Sequence, residues 1–186
     1  MMDTGHLILL ISVFITISDT SVDVCQLPTN RRQRLNVSCD FNSKDGCTAM
    51  YKTTLNHWKY ITGRFVLGWN NVISGDHSHD GLGGYYLFDP RSFLGKDRLL
   101  TPMINYNNIC LTFWYNLATS SSNIDVTAND RKLFHNNSKS YGWSKSVIPF
   151  NSGRNTSVQI AFEGTKQYAS DIIVGIDDIA IEIDKS

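Results

Sequence analysis

The densest run of ligand-type and proton-carrying residues in this 186-residue chain is Asp76-His77-Ser78-His79-Asp80-Gly81. As a calcium loop it puts Asp, Ser and Asp at the first, third and fifth positions and Gly at the sixth. The twelfth position is Leu87, where a bidentate Glu is needed, and no helical pattern flanks the run. As a zinc site, His77 and His79 share one face of an extended chain, but no third ligand can be identified. A polar turn leading into a strand is the plainer account. The nearby Gly81-Leu82-Gly83-Gly84 is not a dinucleotide fingerprint, because Tyr86 takes the place of the last Gly and no helix follows. No G-x-S-x-G, H-E-x-x-H or P-loop occurs. A Ser/His/Asp set can be assembled on paper from any chain this rich in serine, so the sequence makes no case for an enzyme.

Four cysteines, Cys25, Cys39, Cys47 and Cys110, contain no C-x-x-C pair, which argues against a zinc ribbon or a thioredoxin-type site. An even number suggests two disulfides in an oxidising compartment, with three pairings open. Three N-x-S/T sequons begin at Asn36, Asn136 and Asn155, each a candidate glycan site. Asn136 lies in the most polar surroundings of the three. Trp58, Trp69, Trp114 and Trp143 are candidate sugar-stacking platforms. Trp143, in a polar stretch, is the best placed for that, although packing is the commoner role of tryptophan. Arg31-Arg32-Gln33-Arg34 is a minimal convertase pattern, and a solvated basic segment is the preferred reading.

These residues sit in a chain with 17 basic and 17 acidic side chains. A neutral chain has no global field to attract nucleic acid, so that class of partner is set aside. The apolar run at 7–17 has 11 residues, too short for a bilayer, which needs about 20, but suited to a secretory signal. Thr16 and Ser18 place the cut after residue 18, giving a signal peptide at 1–18 and a polar lead at 19–37. No second long apolar run is present, so no transmembrane anchor is expected and the protein reads as secreted. The remainder alternates or runs short and apolar between turn residues. It predicts strands at 37–41, 84–88, 98–100, 109–115, 124–127, 147–150, 158–162 and 172–183. No amphipathic helical stripe competes with them, so the expected fold class is all-β, a sandwich.

The order of several segments resembles the MAM domain, the extracellular module of meprins, neuropilins and mu-type receptor tyrosine phosphatases. The resemblance runs through Cys39-Asp40-Phe41, Cys47, Trp58, Asp76-His77-Ser78 with Gly83-Gly84-Tyr85-Tyr86-Leu87-Phe88, and Arg98-Leu99-Leu100-Thr101-Pro102. It continues in Cys110-Leu111-Thr112-Phe113-Trp114-Tyr115, Gln159-Ile160-Ala161-Phe162-Glu163-Gly164 and Ile176-Asp177-Asp178-Ile179. The domain would span 38–186. The sequence departs from the family at Asn42, where a Glu is usual, and at Thr48 after Cys47. It also lacks the family's last cysteine.

The resemblance implies a jelly-roll-like sandwich of two antiparallel sheets and a Cys39–Cys47 disulfide. It leaves Cys25 to stand in for the absent partner of Cys110, with an intermolecular bond through Cys25 as the rival outcome. It implies no required cofactor, and a structural calcium or sodium ion held near Asp76 and Asp178. The implied function is a secreted, non-catalytic recognition or adhesion module whose partner is an extracellular protein or a second copy of itself. A carbohydrate-binding sandwich, and an accessory fragment of a larger receptor or protease, are the alternatives.

Overall fold

The computed structural model describes residues 24–42, 47, 50–52, 55–67, 71–78, 83–90, 94–153, 156–166 and 171–185. The expected signal segment, Trp69, His79, Asp80, Gly81 and Asn155 lie outside them. The chain enters through two single 3-10 turns, Val24–Gln26 and Thr29–Arg31, and continues in β1 (Arg32–Arg34). Then follow β2 (Tyr51–Lys52), β3 (Trp58–Thr62), β4 (Phe65–Leu67), β5 (Asn71–Ile73), β6 (Gly84–Phe88) and β7 (Gly95–Leu100). The second half holds β8 (Asn108–Leu117), β9 (Ile124–Ala128), β10 (Arg131–Asn136), β11 (Ser144–Asn151), β12 (Ile160–Lys166) and β13 (Val174–Asp184).

Two antiparallel sheets face each other. One has the order β11-β8-β13-β6-β3, with β1 also paired to β13; the other has the order β10-β9-β12-β7-β2. The fold is therefore the expected all-β, jelly-roll-like sandwich. Alternation on the strands decides which side chains turn inward. From β8 these are Ile109, Leu111, Phe113, Tyr115 and Leu117; the opposite sheet answers with Ile124, Val126, Ile160 and Phe162. Phe113 lies at the centre, edge-to-face with Phe162 at 5.2 Å and with Phe134 at 5.5 Å. Burying each such ring contributes about 1.5–3 kcal/mol. Trp58 is fully buried, and its indole N–H donates to the Asp97 carbonyl at 3.1 Å, tying β3 to β7 across the sandwich.

The outer face of the larger sheet has a small core of its own. Ile73, Tyr85, Leu87, Ala118 and Ile173 are buried there, with Ile61, Phe65 and Trp143 packed against them. The β4–β5 hairpin contributes Phe65 and Ile73 to this cluster.

β13 carries the irregularity that matters most. Val174 and Ile176 point into the core, and so do Ile179, Ile181 and Ile183. The parity switches because Asp177 pairs with Trp114 and Ala180 with Thr112, leaving Asp178 and Ile179 opposite the single residue Phe113. This is a β-bulge. Asp178 takes the left-handed conformation it requires, with φ 46°, which Asp tolerates better than most residues.

The described part of the lead, 24–37, is more than a polar approach. β1 pairs Arg32 with Asp184, Gln33 with Ile183 and Arg34 with Glu182. Arg31 contacts Asp184 at 2.8 Å and Arg32 contacts Glu182 at 2.7 Å, so the basic segment, exposed at Arg31 and Arg34, is also paired across strands. The strand expected at 37–41 gives way to a turn. The Ser38 N–H donates to the Leu35 carbonyl, and Cys39 keeps a bridge to Ile179. Two disulfides are present, Cys39–Cys47 and Cys25–Cys110. The second closes 85 residues and fastens the 3-10 turn at Val24–Gln26 to β8, an interior strand of the larger sheet.

Candidate functional site

The acidic run and the bulge meet on the outer face of the larger sheet. Asp76 follows β5 and Asp177 lies in β13. Their side chains are 6% and 0% exposed, and a hydrogen bond joins the two carboxyl groups. Backbone groups orient both. The Ser78 N–H donates to Asp76 Oδ1 at 3.0 Å and the Gly83 N–H donates to Oδ2 at 3.2 Å. Asp177 accepts the N–H groups of His77 and Asp178, both at 2.8 Å. Gly83 is required by the close approach: a Cβ there would collide with the Asp76 carboxylate and lie 2.9 Å from Asn42 Oδ1.

Two buried carboxyl groups in contact cannot both ionise without a proton or a cation between them. Burial pushes the Asp177 carboxyl up to about 9, helped by the Asp76 hydrogen bond and the Asp178 charge. The N–H donors of His77 and Asp178 pull in the other direction. The same negative charge, added to burial, raises the Tyr60 and Tyr85 hydroxyls. The Tyr85 hydroxyl is buried with no hydrogen-bond partner among the described residues.

Asp178, the expected second ion ligand, does not complete this pair. The bulge turns it aside, and its Oδ2 lies 2.7 Å from His77 Nδ1. The His77 ring in turn stacks on Trp114 at 3.6 Å between centroids. Asp177 takes the buried place beside Asp76. Asp76, Asp177 and Asn42 supply oxygen donors, the kind that hard cations select, whereas zinc prefers nitrogen and sulfur. Calcium takes about six to eight oxygens, so backbone carbonyls or water would have to complete the shell. The described residues contain no group of three or more His, Cys, Asp or Glu able to hold a metal. Nothing in the residue types separates Asp177 from Asp178. The usable sequence signal is the apolar parity switch from Val174 and Ile176 to Ile179, Ile181 and Ile183.

The other candidates are scattered. Trp143 is half-buried, packs edge-on against Tyr85 and donates its N–H to the Gly75 carbonyl at 2.9 Å, so it serves the outer cluster. Asn136 lies at the end of β10, its amide N–H donating to the Tyr115 hydroxyl at 2.8 Å. Asn36 is exposed in the turn after β1. On the outer face of the smaller sheet, buried Glu163 is held by Lys96 at 2.6 Å and Arg98 at 2.8 Å. There Asp125 is held by Lys132 at 2.7 Å and His135 at 2.9 Å.

An antiparallel sandwich with one long-range and one local disulfide, and a carboxyl pair between its central strand and the β5–β6 connection, defines a class of disulfide-bonded β-module. Residues 39–185 match the family model for the MAM domain, meprin/A5/mu, and the chain belongs to that family. No curated protein sequence matches it. Among solved structures it is similar to the K3 cleaved adhesin domain of Lys-gingipain from Porphyromonas gingivalis. The identity is 15%, with 80% of this chain and 99% of that chain covered and a TM-score of 0.50. It is also similar to the CBM22-1–GH10 modules of endo-1,4-β-D-xylanase 10B from Clostridium thermocellum, solved with xylohexaose. There the identity is 8%, with 78% of this chain and 28% of that chain covered and a TM-score of 0.52. At these identities the likeness is one of fold.

Proposed function

We propose that this protein is a secreted, non-catalytic recognition module that makes protein–protein contacts in adhesion, with a second copy of itself as its first partner. The observation that carries the reading is the MAM family match over 39–185. The two disulfides support an oxidising, extracellular setting. The outer face of the smaller sheet supplies a surface suited to self-recognition. The Lys96–Glu163–Arg98 and Lys132–Asp125–His135 clusters put both signs of charge on one sheet, so two copies can match opposite charges. The carboxyl pair has a structural role, and a calcium or sodium ion at Asp76 and Asp177 would replace the bridging proton. The test is sedimentation and bead aggregation of purified protein from the medium of expressing cells. Self-association that weakens with salt and with Arg98→Glu is expected. A monomer at every concentration refutes the self-partner.

A second reading, sugar binding, moves from Trp143 to Tyr141, whose ring is fully exposed at 101% between β10 and β11. Glycan-array binding lost on Tyr141→Ala would favour it.

A further inference from the structure

The turn that carries Asn36 forms one wall of an open groove of about 480 Å³. Gln33, Leu35 and Val37 lie on the same wall, and Met103 and Tyr106 lie across it. Met103 is 54% exposed and Tyr106 44%, two large apolar side chains left uncovered next to a sequon. The two described sequon asparagines, Asn36 and Asn136, are not equivalent in the folded chain. Asn136 uses its amide nitrogen to hold the Tyr115 hydroxyl, and its Oδ1 accepts the Ser138 N–H at 2.8 Å. Asn36 is exposed in a turn, the surroundings an attached sugar needs.

We propose that an N-linked glycan on Asn36 lies along this groove, its first sugars packed against Met103 and Tyr106. The groove is then filled by the chain's own modification. The inference rests on the extracellular reading above. Attachment forms a C1–N bond between the sugar and Asn36 Nδ2. It breaks the sugar–phosphate bond of a lipid-diphosphate donor and releases one amide proton. The C–H face of the sugar ring suits the flat tyrosine ring, and the acetamido methyl suits the pliable thioether. Asn105, also on the groove wall, supplies an amide that can bond sugar hydroxyls.

The experiment uses the full chain expressed in secretory eukaryotic cells. Site-resolved mass spectrometry of the secreted protein is followed by timed release of the glycan by a peptide N-glycosidase under native conditions. Sugar at Asn36 is expected, released slowly from the folded protein. In Met103→Ser/Tyr106→Ala, release should be roughly five- to tenfold faster, the factor for losing about 1 kcal/mol of contact. Both proteins should release at one rate in urea. Secreted protein with Asn36 bare overturns the inference and leaves the extracellular reading intact, as does equal native release from the two proteins. A chain that never leaves the cytosol overturns the extracellular reading and this inference together.

Discussion

Stability falls as pH rises from 5 to 8, and Asp177 sets the slope. Its carboxyl has an ordinary value of 3.8 and is pushed up to about 9 in the folded chain. Between those values the folded state keeps a proton that the unfolded state has released. The contribution is thus full below about pH 4 and is lost progressively as pH rises towards about 9. One proton corresponds to about 1.4 kcal/mol per pH unit, so roughly 4 kcal/mol disappears between pH 5 and 8. That is a large share of the ~5–15 kcal/mol typical of a folded domain. Asp125 has the opposite sign. Burial works against its ionisation, but hydrogen bonds from Lys132 and His135 prevail and hold it below its ordinary value. Its stabilisation is present at neutral pH and is lost only in acid, below the window. Tyr60, Tyr85 and Tyr86 are raised from 10.0, chiefly by burial, and titrate above it. The assay is urea unfolding in chelator at several pH values, for wild type and Asp177→Asn. The amide of the variant faces a backbone N–H that now donates to Asp177, costing about 1–3 kcal/mol at pH 5. The variant lacks the slope, so the two curves cross near about pH 6–7. Parallel curves in chelator refute the reasoning.

Replacing Cys25 and Cys110 together by Ser should cost about 4–5 kcal/mol in urea unfolding, because the bridge closes an 85-residue loop. Intact wild type should show no dimer on non-reducing gels. Gly164→Ala should cost about 1–3 kcal/mol by thermal melt, because a Cβ there overlaps the Phe88 ring. A convertase should cut after Arg34 slowly in the folded protein and rapidly after denaturation, because β1 is paired to β13. Rapid native cleavage counts against that pairing.

The long strands were legible because β-branched and aromatic residues alternate over them. The prediction at 109–115 falls within β8 and 124–127 within β9. β3 and β10 were not, because Trp58–Thr62 and Arg131–Asn136 set Lys, Arg and His among their apolar residues, and only the partner strand decides which face is wet. The segment 37–41 looked like a strand by composition, but the chain must turn there to bring Cys39 against Ile179. At the carboxyl pair, Asp76 was legible and Asp177 was not, because a bulge moves adjacent aspartates to different surroundings without changing their letters. Trp143 shows the converse: a polar neighbourhood in sequence hid a partner, Tyr85, that lies far along the chain.

The Cys25–Cys110 bridge also sets the path of mechanical load. β1 runs antiparallel to the last residues of β13, so tension between residues 32 and 184 alone would peel one short strand away bond by bond. A pull arriving from the N-terminal side reaches Cys25 first and passes through a covalent bond into β8, which is flanked by β11 and β13. The short β1 zipper is bypassed, and because Cys110 pairs with Glu182 the load enters at the register of the two longest strands, β8 and β13. That one cross-link sets which strands bear the load.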